Sequence, residues 1–96
     1  MIKVEVKYII KSGQRDNFYN AVIQQGIDKA SKSEEGNIKY AFEIPENEND
    51  IIYLHEIWKD DNAVLSHSNS EHYKALSLLK SEFVVDTIIE KKIIEG

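Results

Sequence analysis

The chain has no cysteine, so it cannot form a disulfide, a thiolate metal site or a cysteine nucleophile. Its one proline and four isolated glycines leave no glycine-rich loop of the kind that cradles nucleotide phosphates. We expect no signal peptide, because the first residues alternate as in a strand, and no membrane span, because no apolar run reaches the roughly 18 residues that one requires. Acidic residues outnumber basic ones, 17 to 12. We therefore expect a cytoplasmic protein that binds neither a membrane nor nucleic acid.

At 96 residues the chain has room for one hydrophobic core, and we expect a single domain over residues 1–96. Hydrophobic periodicity predicts four strands, at residues 2–11, 38–44, 51–58 and 83–94. A helical stripe covers residues 14–33. A second helical segment begins after Asp60 or Asp61, is interrupted at 68–70, and resumes with Ser70 as its cap.

Two glycines and the last strand depart from the regular helix and strand patterns. Gly26 lies within the first helical stripe, and we interpret it as a point where the helix packs closely against a neighbour. Gly36 follows that helix, and we expect it to adopt the left-handed conformation that ends many helices. The last strand has apolar pairs that do not alternate, which a bulge or contacts beyond its own domain would explain.

The order β-α-β-β-α-β is typical of the ferredoxin-like split βαβ fold, an α+β architecture with helices on one face of an antiparallel four-stranded sheet. The strand at 51–58 is apolar on both faces, so we expect it at the centre of the sheet. Because helices cover only one face, the open face needs another cover. A second copy of the chain, packed sheet against sheet, is the simplest one, so we expect a homodimer.

Residues 53–73 hold the unusual chemistry: all three histidines, the only tryptophan, Trp58, and Glu56 inside an apolar strand. Glu56 shares a sheet face with Trp58 and either forms a structural hydrogen bond or orients a histidine. His67 and His72 would diverge by about 140° on one continuous helix, so they need the interruption between them to converge. We expect proton transfer from this pair rather than metal binding, with His67 as the first choice.

The same region resembles a pattern of the antibiotic biosynthesis monooxygenase family, E-x-[WY]-x-D-x-x-A-x-x-x-H-x-x-[ST]-x-H-[YF]. It matches with Glu56-Ile57-Trp58-Lys59-Asp60, Ala63, His67 and Ser70-Glu71-His72-Tyr73. The stretch Glu34-Glu35-Gly36-Asn37-Ile38-Lys39-Tyr40 is similar to the E-x-G-x-x-x-[YF] lead into that family's second strand. The resemblance covers essentially the whole chain and implies a dimeric α+β barrel.

The resemblance further implies a small-molecule substrate and no cofactor. It is nearest to the quinol monooxygenases and the isomerases of a phosphorylated signalling sugar. The Asn, Trp and His of haem-degrading members are not matched, so haem is not implied. No metal ligand is expected. The candidate catalytic residues are His67, His72 and Glu56, and the candidate substrate-binding residues, which could equally belong to the core, are Trp58, Tyr40, Phe42 and Tyr73.

Three functions stay open. The first is a cofactor-independent monooxygenase of a small aromatic or quinol-type substrate, in which a histidine deprotonates a substrate that itself reduces oxygen. The second is an isomerase of a small oxygenated metabolite, where Lys59 and Lys74 would contact a phosphate. The third is a non-catalytic dimeric protein that binds a small molecule. An enclosed cleft that brings Glu56, His67 and Trp58 together would favour catalysis.

Overall fold

A computed structural model describes all 96 residues, and its four strands form one antiparallel sheet in the order β2-β3-β1-β4. The strands are β1 (Ile2–Ile10), β2 (Asn37–Glu43), β3 (Ile51–Trp58) and β4 (Val84–Ile93). The consecutive strands β2 and β3 form a hairpin, while β1 lies between β3 and β4. This confirms the ferredoxin-like α+β fold and the central position of β3.

Four helices cover one face of the sheet: α1 (Arg15–Gln24), α2 (Ile27–Lys32), α3 (Asp61–Ser68) and α4 (Glu71–Phe83). The prediction of one helix over 14–33 was wrong, because Gly26 has a left-handed backbone (φ 70°) that separates α1 from α2. The interpretation of Gly26 as a close-packing site was also wrong, since a methyl group added there would meet no atom within 4 Å. None of the helices combines the length and apolar character needed to cross a bilayer.

The core lies between the helices and one face of the sheet. Alternation decides which strand residues enter it: in β3, residues 52, 54, 56 and 58 are buried while their neighbours are half-buried. Helix α1 adds Phe18 and Val22, and α4 adds Leu76 and Leu79. Glu56 therefore occupies a position where every other inward-facing residue of β3 is apolar, and it shares this face with Trp58, as the sequence pattern predicted.

The opposite face of the sheet carries no helix. His55 projects from this face, and its two ring nitrogens contact the carboxylates of Glu5 and Glu43 on the neighbouring strands. Strand β4 is an edge strand, and its apolar side chains Val85, Ile88, Ile89 and Ile93 are all at least half exposed. Of these, Ile88 lies on the open face, whereas Ile89 and Ile93 pair with Val6 and Ile2 and lie on the helix-covered face. The pairing of β1 with β4 shifts register between Ile9 and Ile10, which confirms an irregularity in the last strand.

Gly36 fixes the distance between the α2–β2 turn and helix α3. Its backbone is not left-handed, so the predicted helix-cap conformation was wrong. A Cβ on Gly36 would instead overlap the Cβ of Ala63, and the Gly36 carbonyl accepts a hydrogen bond of 2.8 Å from the Lys59 amide. Only a residue without a side chain permits this approach.

The Gly36→Ala variant is expected to lose about 1–3 kcal/mol of unfolding free energy, because the added methyl group collides with Ala63. The Ala63→Gly variant should lose about 1 kcal/mol through helix propensity alone. Combining the two removes the colliding methyl, so the double variant should lose less than the sum of the single losses. Urea unfolding of all four proteins measures this coupling, and strictly additive losses would contradict the close-approach explanation.

Candidate active site

A cleft of about 120 Å³ opens between the helix-covered face of the sheet and helices α3 and α4. Nine of its fourteen lining residues are hydrophobic, and the polar ones include a carboxylate, an imidazole and an ammonium group. The lining consists of Val4, Val6, Tyr8, Tyr40, Leu54, Glu56, Val64, His67, Ser68, Tyr73, Leu76, Ser77, Lys80 and Ile89.

His67 lines this cleft from near the end of α3 and is only 5% exposed. Its ring packs on the indole of Trp58, with a centroid separation of 4.5 Å. Tyr40 and Tyr73 make edge-to-face contacts with it at 5.7 and 5.3 Å. Aromatic neighbours on three sides leave the imidazole little freedom to rotate.

Glu34 joins the two histidines. One oxygen of its carboxylate, Oε2, lies 2.5 Å from His67 Nδ1 and 2.8 Å from His72 Nε2. The residue belongs to the α2–β2 turn, which the Gly36 contact holds against α3. Both imidazoles can donate to the same carboxylate, and charge-assisted bonds of this kind are about twice as strong as neutral ones.

The interruption between α3 and α4 makes this convergence possible. Ser70 caps α4 by accepting a hydrogen bond from the Tyr73 amide, and its hydroxyl donates a 2.7 Å hydrogen bond back to the carbonyl of His67. The two histidine rings consequently lie 5.6 Å apart although they sit on different helices. The predicted convergence of His67 and His72 is confirmed.

Glu56 faces the other side of the His67 ring. Its Oε1 accepts a 2.9 Å hydrogen bond from Trp58 Nε1 and lies 4.0 Å from His67 Nε2. Burial raises the pKa of Glu56 to about 7, and the nearby charge of Glu34 adds to the effect against the lowering contributions of Trp58 and Lys80. Glu34, and not Glu56, is thus the carboxylate that orients His67.

Burial also sets the charge state of His67. It lowers the pKa of the imidazole below its ordinary value, and this outweighs the hydrogen bond to Glu34, which raises it. His67 is therefore neutral at neutral pH. With a proton on Nδ1 directed to Glu34, the lone pair of Nε2 points toward Glu56 and the cleft and can accept a proton.

The structure brings most of the sequence-predicted residues together. His67, Glu56, Tyr40 and Tyr73 line the cleft. Trp58 lies directly behind His67, and Phe42 packs behind Tyr40 with a ring separation of 5.7 Å. His72 contacts Glu34 and does not line the cleft.

Sequence reasoning missed three residues of the site: Glu34, Tyr8 and Lys80. Glu34 is the first residue of the E-x-G segment, so the motif marked its position, but nothing in that segment indicates a contact with the histidines. Tyr8 is one of several inward-facing strand residues and Lys80 one of many surface-like lysines. No local pattern separates either of them from its neighbours.

A family model, "Antibiotic biosynthesis monooxygenase", matches residues 1–77. The chain belongs to this family. No curated protein matches the chain. The similarity to solved structures covers nearly the full length of the chain, because these structures superpose on 95% or more of it.

Three of those structures illustrate the similarity. PA3566 from Pseudomonas aeruginosa superposes with a TM-score of 0.87 at 18% identity, covering 99% of this chain and 94% of that chain. A conserved protein from Methanosarcina mazei Go1 gives 0.84 at 27% identity, with 95% and 89% covered. A structure described as an antibiotic biosynthesis monooxygenase gives 0.85 at 18% identity, with both chains fully covered. At such low identities the first and third show a shared fold.

The raised pKa of Glu56 predicts a pH-dependent stability. A carboxyl whose pKa rises from 4.5 to about 7 on folding binds more protons in the native than in the unfolded protein between those values. Stability from this group is therefore present at low pH and falls as the pH rises through this window, by up to about 3 kcal/mol. Glu34, Lys80 and His67 surround the carboxyl. They shift the pH range of this effect but do not reverse the direction of the stability change.

The Glu56→Gln variant keeps an acceptor for Trp58 and removes the buried charge. When the pH is raised from about 5 to about 8, the unfolding free energy of this variant should fall by less than that of the wild type. Urea unfolding at the two pH values measures this, with Glu71→Gln as the control because the Glu71 side chain is 92% exposed. Equal pH dependence in the wild type and in Glu56→Gln would contradict the raised pKa.

Proposed function

We propose that the protein is a cofactor-independent monooxygenase that acts on a small aromatic substrate of the quinol type, with His67 as the general base. The observation that carries this proposal is the arrangement of His67, whose Nδ1 is held by Glu34 while Nε2 is directed to an apolar cleft. The family model supports the reaction class.

The Glu34–His67 pair has the properties of a base that must work at neutral pH. The hydrogen bond from Nδ1 to Glu34 fixes the tautomer in which Nε2 is free, and the carboxylate stabilises the imidazolium that forms when Nε2 accepts a proton. His72, which shares the same oxygen of Glu34, helps to hold that carboxylate in place. Glu56, 4.0 Å from Nε2, can receive or return the proton.

The size and lining of the cleft suit a single aromatic ring. Its volume of about 120 Å³ is comparable to the cavity of about 150 Å³ that accommodates benzene. Apolar side chains and the rings of Tyr40 and Tyr73 would contact the faces of the substrate. The ammonium group of Lys80 also lines the cleft and would stabilise a phenolate oxygen.

Such a reaction needs no reductant other than the substrate. Deprotonation by His67 gives an electron-rich quinolate, which transfers an electron to dioxygen and then forms a carbon–oxygen bond with the reduced species. One oxygen atom stays on the ring as the product is oxidised to a hydroxyquinone. The other leaves as water with two hydrogens from the substrate, so atoms and electrons balance. The protein binds the ring, removes the proton and excludes water.

Enolisation is the second candidate, and one observation favours it. His67 and Glu56 face the same small cleft from adjacent positions, which is the arrangement that moves a proton between two carbons. Neither Lys59 nor Lys74 lines the cleft. Lys80 is therefore the one basic residue of the lining that could contact the phosphate of a phosphorylated substrate. Solvent deuterium entering a ketone substrate without oxygen consumption would distinguish this reaction.

We further propose that a second copy of the chain covers the open face of the sheet. The edge strand β4 leaves Ile88, which lies opposite Lys7 on this face, half exposed, and an uncovered apolar edge is a liability in solution. The open face also carries both charge signs in alternation, with Lys3 and Lys7 on either side of Glu5. Such a face is self-complementary under twofold symmetry.

Oxygen uptake with a panel of single-ring quinols tests the proposed reaction. The wild type should consume oxygen, and His67→Ala should be slower by about 100-fold or more because the base is lost. Glu34→Gln should also be slower, since the imidazolium loses its counter-charge. The control is Glu35→Gln, the adjacent exposed carboxylate, which should retain full activity. No uptake above the His67→Ala level with any quinol would overturn the oxygenase proposal.

Sedimentation at micromolar protein tests the dimer. Ile88→Lys places a charge on the open face, and we expect it to shift the protein from dimer to monomer. Leu78→Lys makes the same change on the outer surface of α4, where the side chain is 72% exposed, and should leave the dimer intact. A wild-type monomer, or an identical effect of the two substitutions, would count against this interface.

A further inference from the structure

The Glu34–His67–His72 cluster has a second capability that goes beyond the proposed oxygenation. We propose that these three side chains bind a divalent transition-metal ion of the zinc class, with Glu34 Oε2, His67 Nδ1 and His72 Nε2 as ligands. These three atoms lie within 4.8 Å of one another. Two imidazole nitrogens and one carboxylate oxygen form a ligand set that zinc and non-haem iron sites use, with the remaining positions left to water.

The spacing of the ligand atoms is close to what an ion requires. In a tetrahedral site with metal–ligand distances of about 2.0–2.2 Å, neighbouring ligand atoms lie about 3.3 Å apart. The two nitrogen–oxygen distances here are 2.5 and 2.8 Å. Lengthening these two distances by about 0.5–0.8 Å, through rotation of the Glu34 side chain, would let the ion replace the protons that the three groups now share.

The surroundings of His67 supply the outer partner that metal-binding histidines usually have. Such a histidine donates its second ring N–H to a carboxylate, which fixes the ring and strengthens the ligand. With Nδ1 on the metal, Nε2–H of His67 would face Glu56 Oε1, now 4.0 Å away. Glu56 is itself held by the indole N–H of Trp58.

An ion can reach the cluster from solvent. The side chains of Glu34 and His72 are 16% and 20% exposed, whereas that of His67 is 6% exposed. Glu34 also borders a polar surface groove of about 320 Å³. The net charge of −5 favours the approach of a cation.

The third histidine provides a contrast. His55 contacts Glu5 through Nδ1 and Glu43 through Nε2, so the carboxylates lie at opposite sides of one ring. A single ion cannot bind both nitrogens of one imidazole, and this group therefore cannot form the same three-ligand site. Glu34 differs because one carboxylate stands between two imidazoles.

Metal binding and the proposed base role exclude each other. A metal on Nδ1 leaves the proton of neutral His67 on Nε2, where it can no longer accept one from a substrate. The metal site therefore does not rest on the oxygenase proposal, and it can be measured without any turnover.

Titration of the chelator-treated full chain with Co²⁺ tests the inference. Isothermal calorimetry measures the affinity and stoichiometry, and visible absorption reports cobalt in an ordered site. We expect one ion per chain, and no comparable binding of Mg²⁺, which prefers oxygen ligands. His72→Ala and Glu34→Gln remove partly exposed ligands and should each weaken binding more than about tenfold, while Glu56→Gln should weaken it about 10–100-fold.

The matched control is His55→Ala, which should bind Co²⁺ with unchanged stoichiometry and affinity. Circular dichroism of each variant establishes that it is folded before binding is compared. Absence of stoichiometric Co²⁺ binding to the wild type would overturn the proposal. Binding that survives in both His72→Ala and Glu34→Gln, or that disappears in His55→Ala, would also overturn it.

Discussion

One carboxylate shared by two imidazoles organises the functional part of this fold. Glu34 comes from the turn before β2, while His67 and His72 come from the two helices that follow β3, so three separate segments meet at a single oxygen atom. The close approach of Gly36 to Ala63 sets how near that turn lies to α3. The break at Ser70 sets the angle between α3 and α4. Both backbone features serve the same contact.

The energetic balance of this contact explains the chemistry of the cleft. A carboxylate that is mostly withdrawn from water is costly unless it is paired and hydrogen-bonded, and two imidazole N–H donors provide that pairing. In return the carboxylate fixes the tautomer of His67. Burial keeps that imidazole neutral and keeps Glu56 protonated to an unusually high pH, so two groups on one cleft wall are ready to exchange protons near neutrality.

Hydrophobic periodicity was sufficient to predict the strands of the sheet, but it was not sufficient to predict where the helices are interrupted. The alternation in β1 predicted which of its residues enter the core, and the alternation in β3 placed Glu56 on the same face as Trp58. Because β3 is apolar on both faces, its sequence alone did not show which face is the inner one. The helical stripe at 14–33 hid the break at Gly26, since the apolar residues on both sides of it continue at helical spacing. Whether a glycine adopts a left-handed conformation or permits a close contact depends on neighbours that are distant in sequence, as Gly26 and Gly36 show.

The candidate site likewise contains residues that the sequence indicated and residues that only the structure shows. His67, His72 and Trp58 stood out because they are rare residues in one short segment, and the helix interruption indicated that the histidines converge. Glu34 lies 33 residues from His67, and a glutamate at the end of a helix is ordinary. Only the tertiary fold shows that it joins the two rings, and the same is true of Lys80 in the cleft wall.

The most direct measurement of this central contact is the long-range proton–nitrogen NMR spectrum of the histidine side chains, recorded on metal-free protein above the ordinary imidazole pKa of about 6.5. The shared carboxylate predicts that His67 carries its proton on Nδ1 and His72 carries its proton on Nε2. A spectrum in which His67 carries its proton on Nε2, or in which both rings exchange between tautomers as free imidazoles do, would contradict the account.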